Sequence, residues 1–212
     1  NKSKLTQFEL LLERENINIA SLNETFFTDE HKPYFKNYFL YRNDRTDSRG
    51  GGVALLVHKS IKHKTLSIYK TLSIENISIE ILINNRPIVI TSAYSPRYKT
   101  SFLNDILELT PYRKEYIILG DFNAKHSSWN CSTDNPAGNT LNNLQQSSDF
   151  FVYYPASPTL YTHQSSRESS TIDIVISNTT LNMGLKTLGY EIPSDHRPIL
   201  CSLNHSKTTF ID

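Results

Sequence analysis

The feature that most constrains this chain is a run of period two near its centre. Ile77, Ile79, Ile81 and Ile83 alternate with mostly polar residues, Asn84-Asn85 interrupts them, and Pro87-Ile-Val-Ile90 resumes an apolar run that continues to Tyr94. In a strand successive side chains point to opposite faces, so this alternation predicts a strand with one buried face. Two such runs around a short polar break predict a β-hairpin. Shorter apolar runs at residues 17–22, 38–42, 53–58, 116–119, 151–154, 171–176, 186–190 and 198–203 predict further strands. Helical spacing occurs in three places. Leu5, Phe8, Leu11 and Leu12 predict a helix over residues 4–15; Phe102, Leu103, Ile106 and Leu107 predict a second, capped by Thr100 or Ser101 and closed before Pro111; residues 140–148 predict a third. Many strands and few helices predict an α+β fold: a two-sheet β-sandwich flanked by helices, in four layers α/β/β/α. With 212 residues, no internal repeat and no low-complexity linker, residues 1–212 form one domain.

The apolar runs share a second property: several end in a polar residue of catalytic type. Residues 17–22 lead to Asn23 and Glu24, 88–93 to Tyr94, and 117–119 to Gly120-Asp121-Phe122-Asn123. Asp173 lies between Ile172 and Ile174, and Asp195-His196 precedes the last apolar run. Buried strands are rigid, so groups at their ends can be held in fixed positions. A carboxylate between two isoleucines demands a partner, because burying it unpaired is costly. Carboxylates, an amide, a phenol and an imidazole together suit metal-assisted phosphodiester hydrolysis. Each residue alone has an ordinary explanation as a turn former, a cap or a packed aromatic.

Charge is unevenly distributed. Residues 31–70 hold nine Lys/Arg against Asp44 and Asp47, a net +7, while the whole chain is +1, so the remainder is −6. That suits a protein that grips a polyanion with one lobe and holds metal with another, although a solvated lysine-rich face has the same signature. Arg42 and Arg49 of this lobe are candidate DNA contacts. Gly50-Gly51-Gly52 beside them reads as a bulge, or as a turn whose amides approach a phosphate. The two cysteines form no disulfide framework, and no run approaches a membrane span or a signal peptide.

Gly120-Asp-Phe-Asn123, Ser194-Asp-His196 and Glu24 in Leu-Asn-Glu-Thr resemble the endonuclease/exonuclease/phosphatase superfamily. Arg49-Gly-Gly-Gly-Val-Ala54, Leu119–His126 with Trp129, and Ser194-Asp-His-Arg-Pro198 resemble, more narrowly, the apurinic-type endonuclease domains of jockey-like non-LTR retrotransposons. The resemblance runs from about Leu5 to Leu203. It implies that Glu24 ligates Mg²⁺ (or Mn²⁺), that Asp121 activates the attacking water, and that Asn123 orients water or phosphate. His196 would donate to a phosphate oxygen with its tautomer set by Asp173, Tyr94 would hydrogen-bond the phosphate, and Asp195 would support or approach the metal. The implied product is a nick in double-stranded DNA with a 3′-hydroxyl that primes a reverse transcriptase of the same polyprotein, in the nucleus. Arg167, at the tip of the polar stretch 161–170, would reach the minor groove, or belongs to a solvated loop. His126 and Trp129 read as structural.

The pattern departs from the family at its start. Members open with a strand carrying a Trp-Asn pair whose Asn joins the metal site, and no such pair precedes the first helix here. The expectation is a domain that lacks that strand, is poorly stable alone, and is weakly active or inactive. Two alternatives compete with the nuclease: a catalytically impaired remnant that only binds DNA, and another phosphodiesterase of the superfamily acting on a lipid or inositol phosphate.

Overall fold

The computed structural model describes residues 2–96, 98–147, 150–161, 168–189 and 194–204. Helix α1 (Lys2–Arg14) precedes strands β1 (Ile19–Asn23), β2 (Tyr38–Asn43), β3 (Val53–His58), β4 (His63–Thr65), β5 (Glu75–Ile83) and β6 (Arg86–Tyr94). Then follow α2 (Phe102–Leu109), β7 (Glu115–Asp121), α3 (Pro136–Ser147), β8 (Phe151–Tyr153), β9 (Asp173–Ser177), β10 (Asn182–Thr187) and β11 (Ile199–Asn204).

One sheet has six strands in the order β4-β5-β6-β7-β9-β8. The isoleucine run and its partner form the antiparallel β5–β6 hairpin, closed at Ile83↔Arg86 by Asn84 and Asn85, both at positive φ as a tight turn requires. β6 and β7 run parallel, so they need a crossover, and α2 supplies it. The facing layer has two parts: a three-stranded sheet ordered β1-β3-β2 and the β10-β11 pair.

Alternation sorts the side chains into three apolar clusters. Val89, Tyr116, Ile118, Ile174 and Ile176 face α2 and α3, packing on Phe102, Ile106, Leu109, Trp129 and Leu141. Ile77, Ile79, Ile81, Ile88, Ile90, Ile117 and Val175 face the other way, against Val53, Leu55 and Val57 of β3, with Met183, Leu185 and Leu203 at the margin. Leu12, Phe35 and Leu56 close the outer side of the small sheet under α1. The order is therefore helix, sheet, sheet, helix, as the sequence predicts. Burying one such isoleucine contributes roughly 1.5–3 kcal/mol, so the inter-sheet cluster alone is a sizeable core.

Toward one end the inter-sheet core turns polar. Ser21 Oγ donates to Ser92 Oγ at 2.7 Å, Asn23 Nδ2 to Ala93 O at 2.8 Å, and Asn43 Nδ2 to Asn76 O at 3.0 Å. These bonds tie the sheets together where apolar contact ends.

Some boundaries differ from expectation. α3 begins at Pro136, four residues before the predicted start, because Asn135 Oδ1 accepts from Gly138 N and proline fits the first helical position. β10 spans 182–187 instead of 186–190, because Met183 and Leu185 pair in register with Leu203 and Cys201. β4, three residues long, carries too little pattern to be predicted. No described helix is long and apolar enough to cross a membrane.

Candidate active site

The parity of the strands assembles the site. Along β7, Asp121 is in phase with Ile117 and Leu119; along β9, Asp173 is in phase with Val175; along β6, Tyr94 is in phase with Ile88 and Ile90. All three side chains therefore emerge on the inter-sheet face. Asp121 pairs directly with both Asp173 and Tyr94 in the ladders. Gly120 is required beside them, since a Cβ there would collide with the Ala93 carbonyl oxygen of the neighbouring strand.

His196 comes from the facing side. Its Nδ1 lies 2.9 Å from Asp173 Oδ2, which is the partner that the strand carboxylate demanded. The loop carrying it is docked by backbone bonds: Tyr161 N donates to Asp195 O at 2.9 Å, Arg197 N to Thr159 O at 2.7 Å, and Leu188 N to Pro198 O at 2.8 Å. Arg197 stacks on the Tyr161 ring, 3.7 Å from its centroid. One ligand atom each from Asp121, Asp173 and His196 lies within 4.8 Å of the others.

The electrostatics follow from this crowding. Burial and the neighbouring Asp173 charge, with a contribution from Glu24, push the Asp121 carboxyl up to about 7, against the opposing hydrogen bond from Asn123 and the His196 charge. Burial alone would lower the His196 imidazole. The hydrogen bond and charge of Asp173, joined by Asp121 and Asp195, override it and push the group up to about 9. Asp173 therefore favours the protonated ring and holds it through Nδ1.

Glu24 follows β1 and accepts a short hydrogen bond from Tyr94 Oη. Burial, this bond and the surrounding negative charge hold the phenol well above its ordinary range, so it stays protonated. The Tyr94 hydroxyl is directed at Glu24, where the sequence suggested a phosphate contact. Asn123 has φ 47°, donates its backbone N–H to Asp121 Oδ1 at 2.8 Å, and donates Nδ2 to Ser95 O at 2.9 Å. Its amide is fixed beside the reactive carboxylate.

The remaining candidates sit further out. Asp195 is exposed and outside the three-residue cluster, acting on His196 through its charge. Arg49 is exposed in the loop before the glycine turn. Arg42 is committed to the 27–31 segment, donating to His31 O at 2.7 Å and Thr28 O at 3.1 Å while pairing with Asp44 at 3.1 Å. Arg167 lies outside the described residues. Trp129 is fully buried and donates Nε1 to Ala124 O at 3.1 Å, the structural role expected of it.

Several residues that hold the site were given no role by the sequence. Asn23 spans the sheets, donating to Ala93 O and accepting from Asp121 N at 3.3 Å. Thr159 Oγ1, fully buried, accepts from Ile172 N and Asp173 N, both at 3.1 Å. Asn135 Nδ2 donates to Asn123 O at 2.8 Å while its Oδ1 accepts from Lys125 N at 3.0 Å. The one signal available was a short polar residue adjoining a strand end or helix start.

The donor set fits a hard divalent cation. Oxygen ligands suit such ions, and a bound cation would offset the burial and the Asp173 charge that raise Asp121. Glu24 would hold it, with Asp121 and Asp173 supplying negative charge beside it.

The chain is similar to several known proteins. A family model described as "Endonuclease-reverse transcriptase" matches residues 88–200. A curated relative, the probable RNA-directed DNA polymerase from transposon X-element of Drosophila melanogaster, is 26% identical over 208 residues. The match takes in 95% of this chain but 23% of that protein, so the chain spans about a quarter of its length. The endonuclease domain of TRAS1, a telomere-specific non-LTR retrotransposon, superposes with a TM-score of 0.78 at 17% identity, covering 98% of this chain and 95% of that one. An endonuclease/exonuclease/phosphatase family protein from Leptotrichia buccalis gives 0.68 at 15% identity, covering 97% and 95%.

Proposed function

This chain belongs to the endonuclease–reverse transcriptase family, and we propose that it is a Mg²⁺-dependent endonuclease domain that nicks double-stranded DNA. The nick leaves a 3′-hydroxyl, which primes reverse transcription by a polymerase domain of the same polyprotein, in the nucleus where the target DNA lies. The observation that carries the reading is the convergence of Asp121, Asp173 and His196, with Glu24 alongside, at one end of the inter-sheet face. A superfamily phosphodiesterase for small phosphates would use similar groups, but the family match favours DNA. Intact pairing of His196 with Asp173 disfavours a remnant that only binds.

In this mechanism Asp121 accepts the proton of the attacking water. Burial and the Asp173 charge raise its proton affinity in the metal-free site, the direction a base requires. Asn123 orients that water beside Asp121. The His196 imidazolium, held through Nδ1 by Asp173, donates from its other ring nitrogen to a phosphate oxygen and stabilises the charge that develops there. Tyr94 holds the Glu24 carboxylate. When bound, the cation supplies charge neutralisation at the phosphate and the leaving oxygen. Arg49 and the basic lobe attract the duplex.

The test is supercoiled plasmid incubated with the chain and Mg²⁺, followed by extension of the product with a DNA polymerase. Open-circular product that forms slowly, is extendable directly and is absent with chelator is expected, in keeping with the weak activity predicted from the sequence. Nicks extendable only after phosphatase treatment, or nicking indifferent to chelator, would reject this chemistry.

A further inference from the structure

Glu24 stands in a stretch the backbone resists. Its φ is 51° and that of Phe26 is 54°, in the left-handed region that favours glycine. Something must hold this stretch. Thr25 N donates to Gly52 O at 3.2 Å and Phe26 N to Gly51 O at 2.9 Å. The glycine turn therefore grips the residues that follow Glu24, and its own shape needs holding: Gly50, Gly51 and Gly52 have φ of 93°, 69° and 85°.

The holder is Glu75. Its Oε2 accepts from Gly52 N at 2.6 Å, and its Oε1 accepts from Arg45 Nε. The Arg45 guanidinium packs flat against Gly51, where a Cβ would collide with it, and lies 5.9 Å from the Tyr94 ring centroid. Both side chains are largely buried, at 20% and 18% exposure, so this is no solvated surface pair. Glu75 is also directly opposite Tyr94 in the β5–β6 ladder. It stands in phase with Ile77, Ile79 and Ile81, at the one inner-face position of β5 where the isoleucine pattern gives way to a carboxylate.

Two facing residues of one sheet thus reach across to the other. Tyr94 holds the Glu24 carboxylate, while Glu75, through the glycine turn, holds the Glu24 backbone. We propose that Glu75, supported by Arg45, is a positioning residue that sets the metal affinity of the site by fixing Glu24. It rests on the nuclease reading in that Glu24 is taken as a metal ligand. Groups that orient metal ligands without touching the metal govern affinity in this way. The glycine run is accordingly a clasp for the Glu24 segment, whereas the sequence offered a bulge or a phosphate cradle.

The experiment measures Mn²⁺ affinity in the absence of DNA, by the electron paramagnetic resonance signal of the free ion. The full chain is compared with Glu75→Ala, Glu75→Gln and, as reference, Glu24→Gln. Loss of affinity by about 10- to 100-fold is expected for Glu24→Gln and Glu75→Ala, with Glu75→Gln between them and the parent, because glutamine keeps one acceptor. Raising the metal concentration should restore plasmid nicking to both Glu75 variants and not to Asp121→Ala. If Glu75→Ala proves unfolded by circular dichroism, Glu75→Gln decides. Parental Mn²⁺ affinity in the Glu75 variants, beside weakened binding in Glu24→Gln, would overturn the positioning role and leave the nuclease reading standing. Parental affinity in Glu24→Gln would overturn both the role and the ligand assignment beneath it.

Discussion

The two sheets deliver their functional groups in different ways. The six-stranded sheet presents Tyr94, Asp121 and Asp173 from residues inside its hydrogen-bonded ladders, on strands whose cores are almost wholly buried. The facing layer is a three-stranded sheet and a separate pair, its β1 and β10 only half-buried, and it presents Glu24 and His196 from loops beyond the strands. Groups of the first kind are placed by strand ladders, and groups of the second by loop contacts and side-chain ties. The lesson is that the second set can be displaced by single substitutions that leave the fold intact, whereas the first cannot easily be displaced without disturbing the sheet.

The largest effect is expected where the two meet. Asp173→Ala strands His196, and nicking should fall on the order of 10²- to 10⁴-fold. The same pair predicts a pH dependence. His196 is raised from 6.5 to about 9 in the folded chain, so it contributes stability that is fully present below pH 6.5 and lost as pH rises through about 9. Metal-free parent should therefore show a declining urea midpoint across that window, and Asp173→Asn should flatten the decline. An unchanged slope would mean that the Asp173–His196 tie does not set the proton.

Tyr94→Phe tests a tie with no backbone component. It removes the hydroxyl on Glu24 and should weaken metal affinity about 10- to 100-fold with little change in melting temperature. Equal metal affinity would place Glu24 under other control. Asn23→Ala should do the reverse. It deletes two inter-sheet hydrogen bonds worth about 1 kcal/mol each, so stability should drop by roughly 1–3 kcal/mol in chemical denaturation. The smallest effect is at the rim. Arg49→Ala should lower DNA affinity modestly and reduce the salt slope of binding by about 1, while Arg42→Ala, a brace of the 27–31 segment, should change stability and leave that slope alone.

The same contrast explains what the sequence revealed. Most of the first sheet was legible because β5 alternates over nine residues and because the apolar runs beside it end in Tyr94 and Asp121 or enclose Asp173. The four-layer order followed from many strands beside few helices, and the family resemblance implied that Asp121, Asn123, Asp173 and His196 share a site. The ties were not legible. Asn23, Glu75 and Thr159 act on backbone atoms that lie 70, 23 and 14 residues away, and a lone polar residue announces no such partner. The direction of the Tyr94 hydroxyl was likewise hidden, because it depends on which side of the sandwich Glu24 enters. The start of β10 was missed because Met183 and Leu185 alone make too short an apolar alternation to stand out.

The central claim is that groups from both sheets form one catalytic unit. It is tested most directly by nicking rates of the parent, Asp121→Ala, His196→Ala and the double variant under Mg²⁺ with supercoiled plasmid. Residues that act as a unit are strongly non-additive. The account predicts that the parent nicks, that each single variant loses on the order of 10²- to 10⁴-fold, and that the double variant is no slower than the worse single one. Losses that multiply in the double variant, or a single variant that nicks like the parent, would contradict it.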